Sequence, residues 1–268
     1  MSALVDEGEK AGSVYLEAAR KAATFIRTTL WKEESQILLR RYRDGHAEID
    51  GYAEDYAYLI FGLLELFQAD ADPEWLAWAI ALQQRQDALF WDESSGGWFG
   101  TTGQDPTVLL RMKEDYDGAE PSASSISVMN LIVLSHLNDD RTWEERIGKT
   151  LRLFGQRLEQ IGRAVPMMAA ALSTYSVGLQ QIVIAGDGAE ASQLFDVAAG
   201  PYRPFSLVLT LHPAQSEGFA RVAPFLSSMR PVDGKATAYV CQDFTCRAPI
   251  TTPEALGREL MSGRPVSD

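Results

Sequence analysis

Six helical segments follow one another in this chain, and nearly charge-free helices take turns with striped ones. Val14 to Leu30 is amphipathic, with Val14, Ala18, Ala22, Phe25 and Ile26 on one side. Tyr56 to Phe67 has Glu65 as its only charge. Glu74 to Phe90 sets Trp75, Trp78, Ala79 and Leu82 against a polar QQRQD end. Ile126 to Leu137 is uncharged, Trp143 to Ile161 is striped again, and Met167 to Tyr175 is uncharged once more. A helix apolar all round must be covered on more than one side, whereas a striped helix faces water. The alternation therefore predicts an inner row of buried helices and an outer row of half-exposed ones. We count three helical hairpins, 14–69, 73–137 and 141–177.

Connection lengths agree with two layers. Inner to outer takes few residues, as in QADADP, while outer to inner takes about 20 and then about 30 residues. Those longer loops carry Trp91, Trp98, Phe99 and Tyr116, which predicts ordered structure. A weak repeat supports the hairpin reading. Asp50-Gly51 precedes one inner helix, Asp117-Gly118 precedes the next, and superposing the pairs also lays Leu64 on Leu131. Near Gly178 the pattern changes. QQIVIAG, PFSLVLTL and TAYVCQ read as strands, with helical candidates at Ala189 to Ala199, Gln215 to Leu226 and about Pro253 to Met261, the last capped by Thr251 or Thr252. Strands alternating with helices predict a short parallel sheet. The domain expectation is thus a helical-hairpin region at 1–178 and a small α/β region at 179–268.

Composition sets the class of partner. The 268 residues are 46% hydrophobic and 23% charged, with a net charge of -13. That acidic balance argues against nucleic acid and anionic membrane as partners. No apolar run reaches the roughly 18 residues needed to span a bilayer. MSALVDEGEK lacks the apolar core of a signal peptide, so a cytoplasmic location is the expectation. Two cysteines and three histidines leave little room for a metal site, and no metal or cofactor is expected.

The residues that carry chemistry gather before the inner helices. Asp50, Glu54 and Asp55 open one such helix, and Glu114, Asp115, Asp117 and Glu120 precede the next, with Pro121 suiting a first helical turn. Two carboxyls on neighbouring inner helices, one protonated by its surroundings and one ionised, are what glycoside hydrolysis requires. Asp117 and Glu54 are the preferred acid and base, with Asp55 and Glu120 next. The plain alternative is that these acids cap helix starts. Tyr52, Tyr56, Trp91, Trp98 and Tyr116 are candidates to hold a sugar ring, or else they anchor loops on the core. Loop histidine His46 joins them as a candidate base; His136 and His212 are poorly placed to pair with it. Gly96 and Gly97 in GGWF predict a tight turn at positive φ. Cys241 and Cys246, with four residues between them, read as structural or incidental thiols, since a reducing cytoplasm opposes a disulfide. IAGDGAE lacks full phosphate-loop glycine spacing and reads as a plain strand–helix turn.

The stretches DGYAEDYAYLIFGLLEL, LFWDESSGGWF, DYDGAEPSASS, QIVIAG and AYVCQDFTCRAPITTPEAL occur in this order across nearly the whole chain. Together they resemble the C-terminal portion of the spermatogenesis-associated protein 20 family of thioredoxin-domain-containing proteins. The resemblance implies a mainly α fold of the six-hairpin glycosidase-like class, here a partial (α/α)6 toroid followed by the α/β tail. It also implies a thioredoxin-like domain and the first half of the ring; this sequence carries neither, so its three hairpins are expected to supply half of a six-hairpin ring. The functional expectation is a domain that binds or processes a carbohydrate or other small molecule by carboxylate acid/base chemistry. If enzymatic, it is glycoside hydrolase-like or sugar-modifying. The alternative is a non-catalytic scaffold or an inactive fragment. Self-association, or a partner chain completing the ring, follows from the exposed end of a half-ring.

Overall fold

The computed structural model describes residues 9–104, 106–138, 140–242 and 245–262. Most of the N-terminal stretch read for a signal peptide lies outside them, as do two residues of the CQDFTC motif. The fold is mainly α: ten α-helices and two small sheets among the described residues. The chain divides into two compact units. One is built from Ser13–Leu66 and Trp75–Ser176, the other, among the described residues, from 9–12, Phe67–Glu74 and the described part of 177–262.

The helical unit opens with α1 (Glu9–Thr29) and then a three-stranded antiparallel meander, β1 (Trp31–Lys32), β2 (Ile37–Arg43) and β3 (His46–Asp50). The first of the two long loops is therefore a sheet. Its turn is Asp44-Gly45, both at positive φ, the pairing of dihedrals that matches strand twist in a two-residue hairpin. Gly51 then passes so close to β2 that its N–H donates to Leu38 O at 2.7 Å. A Cβ there would stand 2.9 Å from that same oxygen.

Next come α2 (Ala53–Asp70), α3 (Pro73–Phe90), α4 (Ala123–Leu137), α5 (Arg141–Ile161) and α6 (Pro166–Val177). The predicted inner helices α2 and α4 bury Tyr56, Ala57, Ile60, Leu63, Leu64, Phe67, Ile126, Val128, Leu131, Ile132 and Leu134. Outer helix α5 keeps a stripe, with Trp143, Ile147, Leu151 and Phe154 buried.

Three expectations need correction. Helix α6, uncharged like α2 and α4, buries only Met168, Ala171 and Thr174. Leu172 and Tyr175 face solvent, because nothing in this unit covers that side. The polar QQRQD end of α3 is largely interior. Gln83, Gln86 and Asp87 are buried because they satisfy one another: Gln83 Nε2 donates to Gln86 Oε1 and Asp87 Oδ1, and Gln86 Nε2 donates to Ala53 O and Ser127 Oγ. Lastly, Pro121 stands one residue before the cap of α4 rather than inside its first turn. Ser122 is the cap, its hydroxyl accepting from Ser125 N at 3.2 Å.

The second unit holds β4 (Gln180–Ala185), α7 (Gly188–Ala199), β5 (Ser206–Leu211), α8 (Ser216–Val222), α9 (Pro224–Ser227), β6 (Thr237–Gln242), β7 (Thr245–Cys246) and α10 (Pro253–Ser262). The strand order is β5-β4-β6-β7. The sheet is mixed, not parallel: β4 runs with β5 and against β6. The cause is local. Asp233-Gly234, both at positive φ, reverses the chain between bridged residues Val232 and Lys235 just before β6. Ile182, Ile184, Ala238 and Val240 from the sheet pack with Leu194, Leu256 and Leu260 from α7 and α10. Thr252 caps α10.

Candidate functional site

The acids before α2 and α4 come to one place, and the residue that shows this is one the sequence did not single out. Tyr58 sits one turn into α2, and its hydroxyl donates to Pro121 O at 2.9 Å. Its phenol pKa is pushed up, first by burial and then by the negative charges of Glu120, Asp117, Glu54 and Glu114. One acid of Tyr58's own helix, Glu54, and three of the opposite segment, Glu114, Asp117 and Glu120, thus act on one tyrosine.

On the α2 side, Asp55 Oδ2 accepts from Tyr52 N at 2.7 Å, the backward half of a capping box. Arg40, from β2, donates to Glu54 Oε1 at 3.3 Å and lies 3.7 Å from Asp55 Oδ2. Its guanidinium also stacks over the Tyr52 ring, 4.2 Å from the centroid. Glu54 and Asp55 therefore keep a shared cation beside them, and Tyr52 has one face already covered.

The α4 side is an extended strap whose odd-numbered side chains are its anchors. Arg111 donates to Thr101 O and Leu89 O. Lys113 Nζ reaches Asp92 Oδ2, Ser95 Oγ and Gly96 O, each at 2.7 Å. Those contacts, with the Ser94 and Ser95 hydroxyls, hold the Asp92 carboxyl far below the usual carboxylate range. Gly96 and Gly97 take the predicted positive φ in this turn. Asp115 pairs with Arg157. Asp117 is the last anchor: Oδ1 accepts from Ser122 N at 2.9 Å, and Oδ2 from Met167 N at 2.8 Å and Met168 N at 3.4 Å. One carboxylate so ties the starts of α4 and α6 together. Glu114, Tyr116 and Glu120 are exposed.

The remaining candidates fall elsewhere. Tyr56, Trp91 and Trp98, expected beside a ligand, are core residues. Tyr56 accepts a hydrogen bond from Leu38 N at 2.9 Å, and burial pushes its phenol pKa up. Trp98, 1% exposed, packs edge-on against Trp91 and donates from Nε1 to Asp87 at 2.9 Å. A large ring with one polar handle is most stable where both the ring and the handle are satisfied. His46 is exposed beside the β2–β3 turn, four strand residues from Asp50, about 13 Å at strand rise. The rim consequently keeps Tyr52, Glu54, Asp55, Tyr116, Asp117 and Glu120 from the sequence reading and gains Arg40, Tyr58 and Glu114. Charges at every second position from Arg111 to Asp117 were the available signal for the strap.

Among the described residues, no group of three or more His, Cys, Asp or Glu is arranged to hold a metal. No helix there is long and apolar enough to cross a membrane. Two open depressions lie off the rim, about 470 Å³ beside Lys149, Arg152 and Tyr175 and about 600 Å³ along α1.

Fold and rim together define a helical-hairpin protein with a mixed α/β unit and an acidic rim at the starts of its buried helices. No family profile matches the chain. It is 39% identical over 206 residues to human spermatogenesis-associated protein 20, and 38% identical to the mouse protein of that name. These alignments cover 76% of this chain and 26% of the relatives. An uncharacterised protein of Caenorhabditis elegans is 30% identical over 251 residues, 90% of this chain and 34% of that one. Over the matched stretch the chain is homologous to the spermatogenesis-associated protein 20 family, as the five motifs indicated. It spans about a quarter to a third of the length of these relatives.

Proposed function

We propose that the rim around Tyr58 is a carbohydrate-binding site in a partial (α/α)6 toroid, with Glu54 and Glu120 as the carboxyls available for acid/base work. The observation that carries this reading is the 2.9 Å bond from Tyr58, on α2, to Pro121 O in the segment before α4, with the charges of Glu120, Asp117, Glu54 and Glu114 all raising the Tyr58 pKa. Sugar hydroxyls need acceptors, and an exposed aromatic face suits the apolar side of a sugar ring. Tyr116, exposed in the strap, is the candidate for that face, with Tyr52 as the second aromatic in this reading.

The acid/base roles follow from what each carboxylate already holds. Asp117 has both oxygens on backbone N–H groups, so its part is to hold the wall. Asp55 holds Tyr52. Among the described residues Glu54 touches only the Arg40 side chain, at 3.3 Å, and takes the base or nucleophile role in this reading. Glu120 is exposed and serves as the acid once a bound sugar excludes water from it. Apolar residues facing solvent on α1 and α6 are what the end helices of an open arc present, which goes with self-association or a partner chain closing the ring.

The test is a glycan array followed by a panel of nitrophenyl glycosides, using the 268-residue chain. Binding that falls at least tenfold in Glu120→Gln and in Tyr116→Ala, with unchanged melting curves, is the expected result. Absence of binding across the array, or binding indifferent to both substitutions, overturns the proposal.

A further inference from the structure

A second chemical feature lies in the α/β unit and is independent of the acidic rim. Cys241 is the last residue but one of β6 and Cys246 ends β7, and the register sets them directly opposite each other. They are joined in a disulfide, Cα atoms 3.9 Å apart. This corrects the expectation of two separate thiols. The antiparallel register is what puts the two sulfurs face to face.

The bond is poorly suited to being a staple. It closes a loop with only four residues between its ends, and short loops give a crosslink the least entropy to remove. Strand β7 is two residues long and sits at the sheet edge. The sheet core stands without it: β6 pairs with β4 along six residues, and Ala238 and Val240 pack with α7 and α10. Arg247 N also donates to Val240 O at 3.0 Å, so the hairpin has a backbone bond of its own beyond the crosslink. The two cysteine residues differ in exposure. Cys241 is 1% exposed, whereas Cys246 lies on an exposed residue. Exposed disulfides are the labile ones.

We propose that Cys241–Cys246 is a thiol–disulfide exchange site whose co-reactant is an external thiol. A thiolate R–S⁻ attacks Cys246 Sγ. The new R–S–Sγ bond forms as the Sγ–Sγ bond breaks, and the electron pair leaves on Cys241 Sγ, which takes a proton from water. A second thiolate attacks the R sulfur of the mixed disulfide, releasing R–S–S–R and the Cys246 thiolate. The protein gains two electrons and the two external thiols lose them. The reverse sequence re-forms the bond. Reduction frees the short edge strand and leaves β5, β4 and β6 in place.

The experiment equilibrates the native 268-residue chain in buffers of reduced glutathione and glutathione disulfide. It then traps thiols by alkylation and counts added groups by mass, with helix content followed by circular dichroism. Expected is reversible gain of two groups within millimolar glutathione, unchanged helix content, and a glutathione adduct in Cys241→Ser but not in Cys246→Ser. Dithiothreitol, which closes its own ring, should give full reduction without a lasting adduct. A bond that stays closed in glutathione until the chain unfolds, a loss of fold on reduction, or an adduct on Cys241 instead would each overturn the proposal.

Discussion

Asp117 is the residue where a catalytic role and a structural role predict opposite results. Its carboxylate accepts from Ser122 N at 2.9 Å and Met167 N at 2.8 Å, with Met168 N at 3.4 Å as a weaker third contact. A hydrogen bond to a charged group contributes about 1.5–3 kcal/mol. Two such bonds at the lower end, as suits a half-exposed residue whose donors can rehydrate, give about 3 kcal/mol for Asp117→Ala. Asp117→Asn keeps one carbonyl oxygen and turns an NH2 towards the other helix start, so about 2 kcal/mol is expected. For a chain of this size 1 kcal/mol corresponds to about 2–4 °C in Tm. The alanine variant should therefore melt about 6–12 °C lower, with the asparagine variant between it and the parent. Thermal melts followed at 222 nm, supported by urea titrations, make the measurement. An alanine variant that melts within a degree or two of the parent would refute the two-helix tie and return Asp117 to the chemistry.

Two further outcomes follow from buried groups. Burial pushes the Asp87 carboxyl up from 3.8 to about 6, offset by Arg146, Trp98 and Gln83, so the folded chain holds this proton more tightly than the unfolded one. Its contribution is most favourable below about pH 3.8 and declines as pH rises through 6. By linkage the parent should lose about 3 kcal/mol relative to Asp87→Asn between pH 4 and 7; urea titrations in which the difference between the two proteins is flat across that range would contradict this. Tyr58→Phe deletes the 2.9 Å bond to Pro121 O and should destabilise by about 1 kcal/mol, read from the urea midpoint, with no change meaning that water already serves that carbonyl.

What the sequence could determine by itself is whatever depends on local periodicity. The nearly charge-free helix at Tyr56 to Phe67 and the uncharged one at Ile126 to Leu137 could be buried on more than one side, and both are largely buried. The striped helix from Trp143 had to show one face, and it does. The glycines of GGWF had to take positive φ. These outcomes follow from the side chains of one segment, whichever segments pack against it. Two misses were also local. Asp44-Gly45 and Asp233-Gly234 are hairpin turns written in the sequence, and reading them as such would have found the first sheet and the reversed strand β6.

Only tertiary structure decided the rest. An uncharged helix says that it can be buried, not that a neighbour will cover it, and α6 is left half bare. Gln83, Gln86 and Asp87 look like a wet helix end until Ser127, Ala53 O, Trp98 and Arg146 arrive from elsewhere to satisfy them. An acid before a helix reads alike whether it caps that helix or faces a ligand. What separates Asp117, bound to two helix starts, from Glu120, open to solvent, is which backbone N–H groups lie within 3 Å, and these come from residues up to 50 positions away.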